Sequence, residues 1–361
     1  MEIDYEKIGG KNVLVTGGLG FIGSNLAHKL VELGSKVSIA DSLVSGLGGK
    51  LENIKDIEKD VKLFLGGKGD IGKNSVEIKE LISNTDYIFN CAGSIKHTNH
   101  LIENFEFDTK VNLYSQAVFM ELCREVMVEN KDKKLGIIYT GTRDQYGKLK
   151  LADLPVKEDK TMRQITDYQS ISKEAAEKHH FMLHQTLKNS QIDGIKVISA
   201  RLTNTYGPRQ DLKCGAVVPT YILKSLSGEN LEIWGGGEAL RDFNYVDDVV
   251  DGLIGLAISP KSGGEAYNLG CSIGKEGMKS PIGNNLCTIK DLAYLVAKFS
   301  DNSKILNREY PQERKHIEPG HCCSDITKIY KTIGWTPKVS LEEGIKNTIE
   351  FYKNEQSSYL E

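Results

Sequence analysis

Three glycines near the start of the chain, Gly17, Gly20 and Gly23, have the spacing of a turn that binds phosphate. They follow an apolar strand pattern at residues 11–16 and precede a helix pattern at residues 21–33. Because glycine has no Cβ, the backbone of such a turn can approach a pyrophosphate, and the free N–H groups that begin the helix attract its charge. The pattern therefore predicts a dinucleotide-binding turn. The residues expected to contact the dinucleotide here are Gly17, Gly20, Phe21, Ile22 and Gly23.

Asp41 indicates which dinucleotide is bound. It ends the next predicted strand, residues 35–41, where a carboxylate accepts hydrogen bonds from the ribose hydroxyls of adenosine and repels a 2′-phosphate. No lysine or arginine lies between Asp41 and Gly49 to bind such a phosphate. The sequence therefore predicts NAD rather than NADP. The alternative interpretation of Asp41 is a helix cap or a turn residue.

Strand and helix patterns alternate over the first part of the chain, which favours parallel strands joined by right-handed crossovers. Strands are predicted at residues 11–16, 35–41, 62–65, 86–90, 135–140 and 195–201. Helices are predicted at residues 21–33, 112–128 and 169–188. We predict an α/β fold with two parts: a doubly wound parallel Rossmann sheet, residues 1–206 with 245–265 returning to it, and a smaller mixed α/β lobe, residues 207–361.

The composition excludes several classes of protein. A formal net charge of -3 gives no electrostatic reason to expect a nucleic-acid partner, and no apolar run is long enough for a membrane span. The N-terminal residues are acidic and lack the apolar core of a signal peptide, so we expect a cytoplasmic protein. The seven cysteines are scattered without a CxxC motif, which argues against a disulfide framework and against a metal site.

Longer motifs follow the glycine turn. They are R-x-x-N-x-Y-G-P at residues 201–208, R-D-F-N-Y-V-D-D at 241–248 and G-W-x-P-K at 334–338. In their order and spacing, the motifs resemble the extended short-chain dehydrogenase/reductase family, above all its NAD-dependent nucleotide-sugar epimerases and dehydratases. The resemblance runs from about residue 12 to residue 352. It implies an enzyme that oxidises a sugar hydroxyl by hydride transfer to NAD and binds a nucleotide-diphosphate sugar in its second lobe.

The resemblance also implies roles for particular residues. Those expected at the cofactor, besides the glycine turn and Asp41, are Asp70, Ile71, Cys91, Ala92, Gly93, Asn112, Thr140 and Lys173. Those expected at the nucleotide sugar are His97, Asn204, Ile233, Arg241 and Arg314. Arg241 and Arg314 match the arginines that hold the diphosphate, where a guanidinium can bind two oxygens at once.

The catalytic residues depart from the family pattern at one position. The family places a tyrosine base four residues before the lysine, whereas this chain has Gln169 four residues before Lys173, and an amide has no titratable proton. Tyr168 lies about 140° around the helix from Lys173, so it does not replace the missing base unless the helix begins late. Thr142 matches the residue that hydrogen-bonds the reacting oxygen. The predicted catalytic residues are Thr142, Asp144, Gln169 and Lys173.

The replaced tyrosine leaves three functions open. The first is an NDP-hexose epimerase, most simply at C4, with Asp144 ranked first as the base and His97 and Tyr168 behind it. The second is a dehydratase of unusual regiochemistry, such as 5,6-elimination; the standard 4,6-dehydratase is disfavoured because Arg143 replaces one of its two carboxyl residues. The third is a protein that binds NAD and a sugar nucleotide without turnover.

The family also implies an oligomeric state. Its members commonly pair two helices of each subunit into a four-helix bundle. The matching helices of this chain are those predicted at residues 112–128 and 169–188, so we expect a homodimer.

Overall fold

The computed structural model describes residues 3–94, 105–160, 167–273, 281–282, 285–300, 304–310, 320–355 and 359. Its strands are β1 (Asn12–Thr16), β2 (Lys36–Asp41), β3 (Val61–Leu65), β4 (Tyr87–Asn90), β5 (Leu135–Thr142), β6 (Ile195–Leu202), β7 (Asn204–Tyr206), β8 (Leu231–Trp234), β9 (Leu240–Tyr245), β10 (Glu265–Leu269), β11 (Leu286–Thr288) and β12 (Ile305–Arg308). Its α-helices are α1 (Phe21–Glu32), α2 (Val76–Ser83), α3 (Phe105–Thr109), α4 (Ser115–Glu129), α5 (Tyr168–Asn189), α6 (Val217–Leu226), α7 (Val246–Ile258), α8 (Ile289–Lys298), α9 (Thr327–Ile333) and α10 (Leu341–Asn354).

Seven of these strands form one parallel sheet in the order β10-β6-β5-β4-β1-β2-β3. The inner strand β5, which lies between β6 and β4, is buried along its whole length, as expected for a strand covered by helices on both faces. The order of strands reverses between β1 and β4, and the carboxyl ends of strands at such a switch point open a crevice. The predicted α/β class with a doubly wound parallel sheet is confirmed.

The remaining strands form two small sheets. In the first, β9 pairs with β7 in parallel and with β11 antiparallel, and in the second β8 pairs with β12 in parallel. Helices α6, α8 and α10 cover a separate core that contains Tyr206, Phe243, Leu292 and Ile345. Helix α7 packs instead against the core of the main sheet. The division of the chain at residue 206 stays a prediction.

One predicted helix differs in the structure. The segment expected to be helical from residue 112 begins earlier with α3, passes through a π-helical turn at Lys110–Tyr114 and continues as α4. A period of 3.6 residues does not reveal such a turn, because the extra residue shifts the pattern only locally. The turn brings Lys110 and Val111 to the crevice described below.

No described helix is long and apolar enough to cross a membrane. No group of three or more histidine, cysteine or acidic side chains in this part of the chain is arranged to hold a metal ion.

Candidate functional site

A cavity of about 480 Å³ lies at the carboxyl ends of the parallel strands. One end is lined by the glycine turn after β1 and by Asp41 at the end of β2. The other end is lined by residues that follow β5 and by the first turns of α5. The predicted site residues that line this cavity are Gly17, Gly20, Phe21, Ile22, Gly23, Asp41, Asp70, Ile71, Cys91, Ala92, Gly93, Thr140, Thr142, Asp144, Gln169, Lys173 and Asn204.

The glycine turn is packed as a phosphate-binding turn must be. Gly17 has a left-handed φ of 62°, and a Cβ there would lie 2.9 Å from the backbone nitrogen of Ala92. A Cβ on Gly23 would overlap the carbonyl of Gly17. Helix α1 begins directly after Gly20, which makes no side-chain cap to its first N–H groups. The turn therefore presents backbone donors to the cavity, and its residues fit a bound pyrophosphate.

Asp41 is held by two backbone donors. Its Oδ2 accepts a hydrogen bond from the N–H of Leu19 at 3.0 Å, and its Oδ1 accepts one from the N–H of Leu43 at 2.9 Å. Burial raises the pKa of this carboxyl, while the two backbone donors act in the opposite direction. Each carboxylate oxygen retains acceptor capacity for a ribose hydroxyl. The geometry is therefore compatible with the predicted role at adenosine.

The turn after β4 is organised by a residue behind the cavity wall. Asn112 does not line the cavity; its Oδ1 accepts from the N–H of Ser94 at 2.8 Å, and its Nδ2 donates to the carbonyl of Ser94 at 3.1 Å. A Cβ on Gly93 would lie 2.9 Å from that Oδ1 and 3.1 Å from Lys173 Nζ. Asn112 thus shapes the turn that brings Gly93 close to Lys173.

Lys173 is a buried ammonium at the centre of the cavity wall. Its Nζ donates to the carbonyl of Thr140 at 2.9 Å and lies 5.4 Å from the centroid of the Tyr139 ring. Burial lowers the pKa of Lys173 to about 8, while the nearby Asp144 carboxylate acts in the opposite direction. The pKa of the Cys91 thiol is raised by burial to about 12, so that thiol is neutral at physiological pH.

The end of β5 places a hydroxyl against a carboxylate. Thr142 caps a short 3₁₀ turn, Arg143–Tyr146, and the side-chain Oε1 of Gln145 accepts from the Thr142 N–H at 3.0 Å. The Thr142 hydroxyl donates to Asp144 Oδ2 at 2.9 Å and accepts from the Asp144 N–H at 3.2 Å. Arg143 Nη2 lies 3.4 Å from Asp144 Oδ1. This capping turn fixes the Thr142 hydroxyl and the Asp144 carboxylate side by side at the cavity.

Gln169 and Tyr168 lie in different environments. Helix α5 begins at Tyr168, capped by Asp167, whose side chain accepts from the Ser170 N–H at 2.7 Å. Gln169 is 2% exposed, lines the cavity, and has no hydrogen-bond partner for its Oε1 among the described residues. Tyr168 is 36% exposed and packs its ring edge-on to Phe105. Gln169, not Tyr168, therefore faces the site.

Of the residues predicted to bind the nucleotide sugar, fewer lie at the cavity than of those predicted to bind the cofactor. Asn204 lines the cavity and donates from Nδ2 to the carbonyl of Asp242 at 2.9 Å. Arg241 is buried beside that residue and donates to the carbonyl of Leu240 at 3.2 Å, whereas the Ile233 side chain lies in the core of the smaller sheets. Neither of the latter two lines the cavity. His97 and Arg314 lie outside the described residues.

Sequence reasoning missed part of the cavity wall. These residues come from the loop after β2, the π-helical turn and the start of α6, and they carry no motif: Val44, Leu47, Lys110, Val111, Ala216, Val217, Val218 and Pro219. Most of these residues are apolar, and their spacing in the sequence is not diagnostic of a binding site. It also missed Arg143 as a cavity residue, although its replacement of a carboxyl residue was a usable signal.

Comparisons with known proteins agree with this architecture. The family model described as GDP-mannose 4,6 dehydratase matches residues 14–348. A UDP-N-acetyl-alpha-D-glucosaminuronate decarboxylase from Bacillus cytotoxicus is 28% identical over 358 residues, covering 95% of this chain and 98% of that protein. A putative UDP-glucose 4-epimerase from Methanocaldococcus jannaschii is 27% identical over 345 residues, covering 95% and 98%.

Solved structures show the same similarity. A UDP-glucose 4-epimerase from Thermotoga maritima, crystallised with UDP-glucose, has a TM-score of 0.77 at 28% identity and covers 96% of this chain and 99% of its own. The enzyme WbmF from Bordetella bronchiseptica, in complex with NAD+, has a TM-score of 0.74 at 25% identity, covering 98% and 96%.

Proposed function

The chain belongs to the GDP-mannose 4,6-dehydratase family, and from that premise we propose that it is an NAD-dependent epimerase of a nucleotide-diphosphate hexose, acting most simply at C4. The observation that carries the proposal is the Thr142–Asp144 hydrogen bond at the cavity end that Lys173 and Gln169 also line. This end offers a proton acceptor and an alcohol-binding hydroxyl, while the opposite end fits a dinucleotide.

The proposed cofactor is NAD. Support comes from the glycine turn, from Asp41, and from the relative WbmF, which was crystallised with NAD+. When bound, NAD would supply the hydride acceptor and donor that reversible oxidation of the sugar carbon requires. The carboxylate of Asp41 disfavours a 2′-phosphate, because two anions at one buried position repel each other. We expect the Lys173 ammonium to donate to the ribose beside the nicotinamide, as the family resemblance implies.

Asp144 is the proposed proton acceptor. The Thr142 hydroxyl donates its own proton to Asp144 Oδ2 and accepts from the Asp144 N–H, which leaves one lone pair for a sugar hydroxyl. As the sugar carbon loses its hydride, the proton of its hydroxyl passes to Thr142 and the Thr142 proton passes to Asp144. The keto-sugar then turns, and the same path returns the proton. The amide of Gln169 orients the sugar, with Oε1 accepting from a second hydroxyl.

An elimination reaction is less well supported. Removing water from the sugar calls for an acid to protonate the leaving hydroxyl as well as a base, and in the matching 4,6-dehydratases two carboxyl residues stand in this turn. Here Arg143 occupies one of those places, and its guanidinium does not give up a proton. Asp144 alone supports proton abstraction from an alcohol. The alternatives are a dehydratase of unusual regiochemistry, such as 5,6-elimination, and a binding protein without turnover.

A panel of UDP-, CDP-, dTDP- and GDP-sugars, read by mass spectrometry and NMR, tests the proposal. An epimer of unchanged mass is the expected product. A product lighter by one water would identify a dehydratase, and one lighter by carbon dioxide a decarboxylase. If the protein releases NAD on denaturation yet converts no sugar, the binding-protein alternative replaces the epimerase.

We also propose that the protein is a cytoplasmic homodimer. Helices α4 and α5 with the π-helical turn carry exposed apolar side chains, among them Tyr114, Val128, Ile171 and Met182. A face of this kind is typical of a subunit interface. Light scattering at micromolar concentration should give the mass of a dimer, and a monomer there would contradict the proposal.

A further inference from the structure

Asn53 connects three segments of the chain at the cofactor end of the cavity. The residue is 1% exposed. Its Nδ2 donates to the carbonyl of Leu19 in the glycine turn at 2.7 Å, and to the carbonyl of Gly48 in the loop after β2 at 3.4 Å. Its Oδ1 accepts from the hydroxyl of Tyr359 at 2.7 Å. A buried amide with partners on three segments holds those segments in fixed positions relative to one another.

Leu19 is held at both of its backbone polar groups. Its N–H donates to Asp41 Oδ2 at 3.0 Å, and its carbonyl accepts from Asn53 and from the N–H of Lys50 at 3.2 Å. The next residue, Gly20, and Asp41 both line the cavity. The two hydrogen bonds of Leu19 therefore set the course of the glycine turn and the direction of the Asp41 carboxylate. Asn53 acts on the cofactor end through Leu19, without lining the cavity itself.

Tyr359 approaches Asn53 from the other end of the chain. It lies beyond α10, the helix that covers the core of the smaller sheets. Its ring packs edge-on against Phe351 and Tyr352 of that helix, with a centroid distance of 5.4 Å in each pair. Lys50 Nζ lies 3.5 Å from the centroid of the same ring, which is a cation–π contact. Tyr359 thus ties the helix of the smaller sheets to the loop beside the cofactor.

A second contact joins the same two regions at the surface. Lys55 Nζ lies 2.6 Å from Glu355 Oε2, but the two side chains are 42% and 30% exposed. Solvent-exposed ion pairs contribute little to stability, because water and salt screen them. The hydrogen bond from Tyr359 ends on a buried amide instead, where a lost partner leaves a polar atom unsatisfied. The tyrosine is therefore the contact expected to matter.

Resting on the proposed function, we propose that Asn53 and Tyr359 are positioning residues that slow the release of NAD. Epimerisation through a keto-sugar needs the same cofactor molecule for both hydride transfers, so slow release is a requirement of the reaction. The glycine turn and the loop after β2 must stay in place for that time. The Tyr359 hydroxyl fixes the orientation of the Asn53 amide, and the amide then holds the carbonyls of Leu19 and Gly48.

The rate of NAD release tests the proposal. Protein loaded with NAD is mixed with an excess of isotopically labelled NAD, and the bound fraction is followed by mass spectrometry. Tyr359→Phe removes the hydroxyl and keeps the ring, so release should become about 2- to 10-fold faster. Asn53→Ala removes every bond of the amide and should accelerate release by about 10- to 100-fold. Tyr294→Phe makes the same change on an exposed tyrosine of α8 and should leave the rate unaltered.

A double variant separates positioning from a general loss of structure. If Tyr359 acts through Asn53, adding Tyr359→Phe to Asn53→Ala should change the release rate by less than about twofold. In Tyr359→Phe alone, kcat at saturating NAD, affinity for UDP and the melting temperature of the NAD-free protein should stay near the wild-type values. Multiplicative effects in the double variant would overturn the inference. Equal weakening of UDP and NAD binding in Tyr359→Phe would overturn it too.

Amide hydrogen exchange in the NAD-free protein gives a readout that does not depend on the cofactor. Tyr359→Phe should speed exchange in residues 42–54 and leave β5 unchanged. If the wild type binds NAD and Tyr359→Phe releases it at the wild-type rate, the inference fails while the epimerase stands. If the wild type binds no NAD, the proposed function fails, and exchange decides on the positioning role: faster exchange supports it and equal exchange overturns it.

Discussion

The two ends of the cavity are built from different chemical groups. The cofactor end consists of backbone: the glycine turn leads into the uncapped first N–H groups of α1, and Asp41 is held by two further N–H groups. The opposite end consists of buried side chains that hydrogen-bond or pair with one another around Asp144. The cofactor end follows the family pattern, whereas the other end departs from it at the tyrosine position. The difference indicates that dinucleotide binding and proton transfer can be altered separately, and each prediction below tests that separation.

The largest effect is expected at Asp144. Asp144→Asn keeps the hydrogen bond to Thr142 but removes the proton acceptor, so kcat/KM should fall by about 10²- to 10⁴-fold, the usual contribution of general-base catalysis. NAD released on denaturation should be unchanged. Asp132→Asn makes the same chemical change on an exposed turn and should leave activity intact. Full activity in Asp144→Asn would contradict the role of Asp144 as the proton acceptor and make His97 the next candidate.

A smaller effect is expected at Arg241, which the resemblance assigns to the diphosphate. Arg241→Ala should weaken sugar-nucleotide binding by about one to two decades with NAD binding unchanged, because a charge-assisted contact is lost. The guanidinium is buried and stabilises the charged form of the neighbouring Asp242, whose pKa burial raises to about 6. Because the variant leaves this buried carboxylate without one of its cationic neighbours, it should also unfold at a lower temperature. Calorimetric titration and thermal denaturation measure the two effects. An equal loss of NAD affinity would mean that Arg241 stabilises the fold and does not bind the diphosphate.

The pH profile tests Lys173 without a mutation. Since burial lowers the pKa of this ammonium to about 8, kcat/KM should fall above about pH 8, by up to tenfold per pH unit. In the folded protein Lys173 loses its proton at a lower pH than in the unfolded chain. The contribution of Lys173 to the free energy of unfolding therefore increases as the pH rises from about 8 toward the ordinary pKa of a lysine. A loss of activity over this range is for that reason not caused by unfolding at Lys173. A profile flat to pH 10 would contradict a role for the charged form.

The smallest effect is expected at Gln169. Gln169→Ala should lower kcat/KM by about 2- to 10-fold, the worth of one neutral hydrogen bond to the sugar, and should leave NAD bound. Gln169→Leu removes the amide but keeps a side chain of similar size, so it separates the loss of the hydrogen bond from the effect of an enlarged cavity. A loss as large as that of Asp144→Asn would mean that Gln169 does more than orient the substrate.

The cofactor end was predictable because local spacing encodes it. A glycine turn between a strand and a helix is typical of a dinucleotide-binding site, and in the structure Gly17, Gly20 and Gly23 line the cavity. The i and i+4 spacing of Gln169 and Lys173 was equally informative, since both lie on the cavity face of α5. These features depend on periods of a few residues, which the sequence displays directly.

The rest depends on packing between distant segments. Asn112 matched the family as a cofactor residue, yet it acts on Ser94 from behind the wall. The π-helical turn at Lys110–Tyr114 and the burial of Arg143 arise from tertiary contacts that no spacing records. Arg241 likewise lies beside Asp242 and does not line the described cavity. Side-chain direction at such positions follows from the fold as a whole.

One measurement tests the central claim most directly: the fate of a deuterium placed on C4 of the nucleotide sugar. The protein is incubated with UDP-glucose and UDP-glucuronate labelled at that carbon, and the products are identified by mass and NMR. The account predicts a C4 epimer of unchanged mass that retains the deuterium on C4, because the same hydride leaves and returns. Loss of the label to solvent, or a product lighter by water or carbon dioxide, would contradict it.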